Sequence, residues 1–95
     1  TIRGLVIRDF TSHGINLAGS GGHTIAGNWI GLDDAGTGAA GNAYGINLWN
    51  SSGNLIGGST AADRNVVSGN TIDGILVSTD NGTSTGNLIR GNYIG

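Results

Sequence analysis

Two adjacent carboxylates, Asp33 and Asp34, lie in a stretch rich in glycine and alanine, where the residue types first suggest chemistry. A pair of aspartates offers hard oxygen ligands to calcium, or an acid and a base for glycoside cleavage. Asp9, Asp73 and His13 fall near the same corner of the frame described below and would enlarge such a site. Ordinary turn chemistry competes, because Asp readily caps its own backbone. The regular spacing of calcium-binding nonapeptide repeats is absent. Asp33 and Asp34 are therefore candidates for binding, with calcium as the metal to consider. No residue is assigned a catalytic role, and no cofactor is expected.

Aromatic residues supply the second possible chemistry. Trp29 follows Asn28 and precedes an inward isoleucine, so it faces outward in the column Val6, Trp29, Val66, Tyr93. Trp29 and Tyr93 are thus candidates for a contact surface or for stacking on sugar rings, unless the loop at 59–64 covers them. Trp49 falls just outside a strand, with packing under a loop at 79–86 as its expected role. His13 and His23 are isolated and read as hydrogen-bonded corner residues. Asn50-Ser51-Ser52 and Asn81-Gly82-Thr83 match a glycosylation sequon, which arises easily by coincidence in a chain with eleven asparagines.

These residues are positioned by a repeat. Thr24–Gly31 and Leu88–Gly95 nearly coincide, and Gly14–Leu17, Gly45–Leu48 and Gly74–Val77 share a second signature. Together they set three columns of apolar residues. The first is Ile2, Ile25, Ile56 and Ile89, and the second is Ile7, Ile30, Val67 and Ile94. The third is Ile15/Leu17, Ile46/Leu48 and Ile75/Val77. The basic unit is 23 residues, and each departure from it is an insertion at a corner: Leu32–Gly41, Ser59–Arg64 and Thr79–Gly86. Length changes confined to corners leave the strands intact, as expected of surface loops.

Within the third column, apolar residues at i and i+2 alternate with Asn16 and Asn47, the period of a strand with one face inward. Strands this short need equivalents from neighbouring repeats about 4.8 Å away. Asn28, Asn65 and Asn92 each lie two residues before the second column, with Leu5 in that place in the first repeat. They form a ladder in which stacked amides bond to one another, with asparagine expected in the left-handed conformation of a tight corner. His23, Asn54 and Asn87 form a second polar column.

Composition agrees with an all-β chain. Twenty glycines and eleven asparagines mark turns, isoleucine and valine mark strands, and lysine, glutamate and proline are absent. Without cysteine there is no disulfide or thiolate zinc site. Four arginines in a chain of net charge −2 make no basic patch, so no nucleic acid is expected. No apolar run approaches a membrane span, so no membrane partner is expected.

The motifs at 27–38, 54–58 and 64–70 resemble the repeats of bacterial right-handed parallel β-helix proteins, the pectate-lyase-like solenoid superfamily. The resemblance covers nearly the whole chain and implies three short strands per coil. Coils would span approximately 1–23, 24–54, 55–87 and, in part, 88–95, as one segment with uncapped ends. It also implies that Asn28, Asn65 and Asn92 mark the corner between the second and third sheets. Gly14–Leu17 and Gly45–Leu48 would lie on the first sheet, and Leu32–Gly41 would be the loop where enzymes of the superfamily often build their sites. Their catalytic signatures are not matched: there is no Asn-Thr-Asp, no paired Asp on a first-sheet strand and no Gly-His-Gly.

The expectation is a structural or adhesive extracellular or cell-surface solenoid of the adhesin type. It would be continued in a longer chain or stacked end to end into a filament. The alternative is part of a polysaccharide lyase or hydrolase, or a carbohydrate-binding β-helix with a polysaccharide partner. The lack of methionine fits a piece of something longer.

Overall fold

Short extended segments form wherever the frame places branched apolar residues. The computed structural model describes all of residues 1–95. In chain order the strands are β1 (Ile2–Arg3), β2 (Val6–Ile7), β3 (His13–Ala18) and β4 (Thr24–Ala26). Then come β5 (Trp29–Ile30), β6 (Tyr44–Trp49), β7 (Leu55–Gly57) and β8 (Val66–Val67). The last are β9 (Asp73–Ser78), β10 (Leu88–Arg90) and β11 (Tyr93–Ile94). A single 3₁₀ turn, Ala61–Asp63, is the only helical element. No helix is long and apolar enough to cross a membrane.

Every third strand pairs, and every pairing is parallel. Sheet A has the order β1-β4-β7-β10, sheet B β2-β5-β8-β11 and sheet C β3-β6-β9. The fold is therefore all-β, built from three open parallel sheets. Ile2, Ile25, Ile56 and Ile89 are successive partners in sheet A. Ile7, Ile30, Val67 and Ile94 are successive partners in sheet B. Ile15 and Leu17 pair with Ile46 and Leu48, which pair in turn with Ile75 and Val77. Like side chains thus stack on like, as the three apolar columns require.

The strands of sheets A and B have only two or three residues, whereas those of sheet C have six. Packing compensates for the small number of ladder bonds. Ile25, Ile30, Ile46, Leu48, Ile56 and Val67 are fully occluded. They form one cluster with Ile15 and Leu17, against which Ile2, Ile7 and Ile75 pack. Each such side chain contributes about 1.5–3 kcal/mol on leaving water.

The Gly-Ile signature of sheet C has a steric cause. A Cβ on Gly45 would lie 2.5 Å from the Gly74 carbonyl oxygen and 2.9 Å from Val67 Cγ1. Only glycine lets successive strands turn the corner there against the core.

The asparagine corner differs from expectation in one respect. Asn28, Asn65 and Asn92 are not left-handed. Arg64, before Asn65, is extended with φ of −65°, whereas Gly27 and Gly91, before Asn28 and Asn92, have φ of 67° and 70°, and Gly4, before Leu5, has φ of 72°. Glycine bears this conformation at no Cβ cost. The following asparagine can then direct both its backbone N–H and its side chain along the stack.

Candidate functional site

Polar residues occupy all three corners, and their amides run along the stack in one direction. At the A–B corner, Asn65 Oδ1 accepts from Asn28 N (3.0 Å) and Asn28 Nδ2 (3.1 Å). Asn92 Oδ1 accepts from Asn65 N (3.1 Å) and Asn65 Nδ2 (2.9 Å). The second N–H of each amide goes to a strand carbonyl, from Asn28 to Ile2, Asn65 to Ile25 and Asn92 to Ile56. Leu5, which lacks an amide, closes this ladder by donating its N–H to Asn28 Oδ1 at 3.0 Å.

The second column, His23, Asn54 and Asn87, is linked in the same way. His23 N donates to Asn54 Oδ1 (2.9 Å), and Asn54 N and Nδ2 donate to Asn87 Oδ1 (3.0 and 2.8 Å). Buried Ser51 supports it, with its hydroxyl taking Asn54 Nδ2 and its carbonyl taking Asn87 Nδ2. That hydroxyl donates in turn to the Ser20 carbonyl.

A third ladder, outside the two polar columns of the repeat, lies at the B–C corner. Asn42 N and Nδ2 donate to Asn70 Oδ1, both at 3.1 Å, and Phe10 N donates to Asn42 Oδ1 at 3.0 Å. Its signal was present in the pairs Gly41-Asn42 and Gly69-Asn70, which repeat the Gly-Asn of positions 27–28 and 91–92. The insertion in the second repeat obscures the equivalence.

The outward column of sheet B places Trp29 between Val6 and Val66, with Tyr93 beyond Val66. Trp29 therefore lies two strand spacings from Tyr93, about 10 Å. Trp29 is 39% exposed and flanks a shallow groove of about 190 Å³ with Gly4, Leu5, Val6 and Gly27. The two insertions frame this face without covering it. A Cβ on Gly36 would lie 2.9 Å from the Trp29 ring, and one on Gly27 would lie 2.9 Å from Ala62 O. Asp63, in the 3₁₀ turn, pairs with Arg3 at 2.6 Å.

Tyr93 is engaged otherwise. The Arg64 guanidinium lies 4.2 Å from its ring centroid, and Arg64 Nη1 donates to Tyr93 Oη at 3.0 Å. Trp29 and Tyr93 thus do not form one continuous aromatic platform. Trp49 remains 41% exposed, so the 79–86 segment does not bury it.

Asp33 and Asp34 have different partners. Asp33 Oδ1 accepts the Thr37 N–H at 3.1 Å, inside a turn closed by a Leu32–Ala39 bridge. The Thr37 and Gly38 backbone groups hold its carboxyl below the ordinary value, outweighing the opposing effect of desolvation. Asp34 receives Arg8 Nε at 3.0 Å, and Arg8 Nη1 reaches Asp9 at 2.8 Å. His13 stacks on Tyr44 with ring centroids 5.1 Å apart, and Tyr44 pairs with Asp73 in the next strand. The acidic residues and histidine of this corner therefore split into three groups: Asp33 within its own turn, Arg8 with Asp9 and Asp34, and His13 on Tyr44 with Asp73 at the next strand position. No three His, Asp or Glu side chains converge. His23 Nε2 meets Ser20 Oγ at 3.3 Å.

The two sequons differ as well. Both amide atoms of Asn50 are bound to the Asp80 backbone at 2.8 Å, whereas Asn81 is exposed. No protein-family model matches the chain, and neither a curated protein nor a solved structure matches it.

Proposed function

We propose that the chain is a length of right-handed parallel β-helix acting as a structural or adhesive scaffold, outside the cell or at its surface. The observation that carries this reading is the in-register stacking of like residues in three parallel sheets, with no cluster of reactive side chains on them. The inward columns are fully occluded in the middle of each sheet, yet Ile89 and Ile94, in the same columns on β10 and β11, are 38% and 54% exposed. Edge strands of this kind invite a further parallel strand. Right-handed winding follows the general preference of parallel crossovers.

Ladder polarity sharpens the choice of neighbour. Each of the three corner ladders passes its N–H groups towards the β9–β11 edge, where Asn70, Asn87 and Asn92 have no further amide acceptor. The opposite edge carries Leu5, Phe10 and His23 at the equivalent corners, and none of these is an amide. A further winding that carries asparagines at its corners completes the ladders, whereas a second copy presenting its first edge completes none. Stacking of copies into a filament is therefore the weaker form of the scaffold reading.

Sedimentation and electron microscopy test this. The chain should stay dispersed, while the Leu5→Asn/Phe10→Asn/His23→Asn variant, if folded by circular dichroism, should stack end to end. Long filaments of the unaltered chain, or a folded triple variant that does not associate, would remove the ladder argument.

The groove beside Trp29 favours a second reading, a carbohydrate-binding face. An exposed indole with the Arg3–Asp63 pair nearby offers a flat apolar surface and polar groups to a sugar ring. Binding of soluble polysaccharide that survives Trp29→Ala would discard that site.

A further inference from the structure

Eleven asparagines make up a large part of this chain, and ten of them have side-chain hydrogen bonds. The exception is Asn81. Its side chain has no protein partner, its φ is 57°, and it lies on the exposed 79–86 segment. Independently, Asn81 is the only asparagine followed by glycine. Gly82 presents no side chain to hinder its own backbone nitrogen.

We infer that Asn81 is a site of spontaneous covalent modification, converting through a cyclic imide to a mixture of aspartate and isoaspartate. The Gly82 nitrogen loses its proton and attacks Asn81 Cγ. A nitrogen–carbon bond forms, the Cγ–Nδ2 bond breaks, and ammonia leaves carrying the proton. Water then opens either carbonyl of the five-membered ring, giving the α-linked or the β-linked acid. Only water enters and only ammonia leaves, so no oxidant or donor is needed. Hydroxide promotes the first step, so the reaction quickens as pH rises.

The surroundings make the event consequential. Asn50 grips the neighbouring Asp80 through both its N–H and its carbonyl, each at 2.8 Å. A Cβ on Gly82 would lie 2.6 Å from Asn50 Cγ, so the turn rests directly on that grip. Conversion places a new carboxylate next to Asp80 and, in the β-linked product, lengthens the backbone by one methylene. Both changes work against the fixed turn. In nine of the others the amide that would leave is held in a ladder or a clamp, and Asn16 is followed by Leu17, whose side chain hinders attack by its own backbone nitrogen.

The chain is incubated in mildly alkaline buffer, and peptides are followed by mass spectrometry. The expected result is a gain of one dalton confined to the peptide containing Asn81, faster than in mildly acidic buffer and absent in Asn81→Gln. Asn50→Ala frees the turn and should raise the rate several-fold, towards that of a synthetic peptide spanning 79–86. Two results would overturn the inference: the peptide converts while the folded chain and Asn50→Ala do not, or a ladder asparagine converts before Asn81.

Discussion

The A–B corner and the outer face of sheet C carry the same amide in the same kind of stack, with different outcomes. At the corner, Asn65 accepts two hydrogen bonds and donates two, so its amide is saturated. On sheet C, Asn47 donates to Asn16 at 3.0 Å, but the next place in its column is Leu76, and Asn47 Oδ1 is buried without a partner. A ladder is stabilised by continuity, and one apolar member leaves the preceding amide half satisfied. An unmade bond costs more than a made one contributes.

The largest test removes the saturated amide. Asn65→Ala removes the partner of Asn28 N, of one Asn28 Nδ2 proton and of the Asn65-bound Ile25 carbonyl, and leaves Asn92 Oδ1 with the residue-65 backbone N–H alone. A loss of about 4 kcal/mol in urea unfolding is expected, given about 1–3 kcal/mol per buried unsatisfied group and partial relaxation. That is a large share of what a domain of this size possesses, roughly 5–14 kcal/mol. Asn16→Ala, on the exposed side of sheet C, removes one acceptor, that of Asn47 Nδ2, and should cost about 1–2 kcal/mol. Equal costs would mean that the ladder bonds add nothing beyond an ordinary surface amide.

The apolar columns give the next effect. Ile46 is fully occluded in the central strand of sheet C, so Ile46→Ala should cost about 3 kcal/mol. Ile94, 54% exposed on the edge strand β11, should cost less than half as much on the same change. Parity between them would show that the edge is covered in solution.

The contrast also explains what the sequence reveals. The three columns and the A–B ladder were legible because strand pairing preserves register, so Ile25, Ile56 and Asn65 recur at fixed offsets from one another. The ladder of Asn42 and Asn70 was hidden because the insertion at 32–41 lies just before Asn42, and no such insertion precedes Asn70. The partners of arginine were not legible at all. Arg3 meets Asp63, and Arg8 meets Asp34, across different repeats through insertions whose path the repeat does not specify. The same insertion at 32–41 separates Asp33 from Asp34: adjacency in sequence suggests a pair, whereas the turn uses one carboxylate and Arg8 the other.

Repairing the broken column is a smaller test with the opposite sign. Leu76→Asn places an amide opposite Asn47, where it can donate to the orphaned Oδ1. Leu76 is only partly buried, so little apolar packing is lost. A gain of about 1 kcal/mol is expected in urea unfolding. Leu76→Ala removes the same side chain without supplying a donor and should destabilise slightly. If both variants lose stability equally, Asn47 Oδ1 is already satisfied by water.

The smallest effect is confined to the 32–41 turn. Asp33 is held below the ordinary carboxylate value of 3.8, first by the Thr37 N–H and then by the Gly38 backbone. A group with a depressed folded pKa binds fewer protons folded than unfolded, so its stabilising contribution is complete above that ordinary value. The contribution fades as pH falls through the lower folded value. Thr37 amide exchange should therefore quicken below that range while the cores of sheets A and C hold. In Asp33→Asn, which cannot titrate, the acid-dependent change should vanish. If it persists there, the turn depends on the Arg8–Asp34 ion pair instead of on its internal cap.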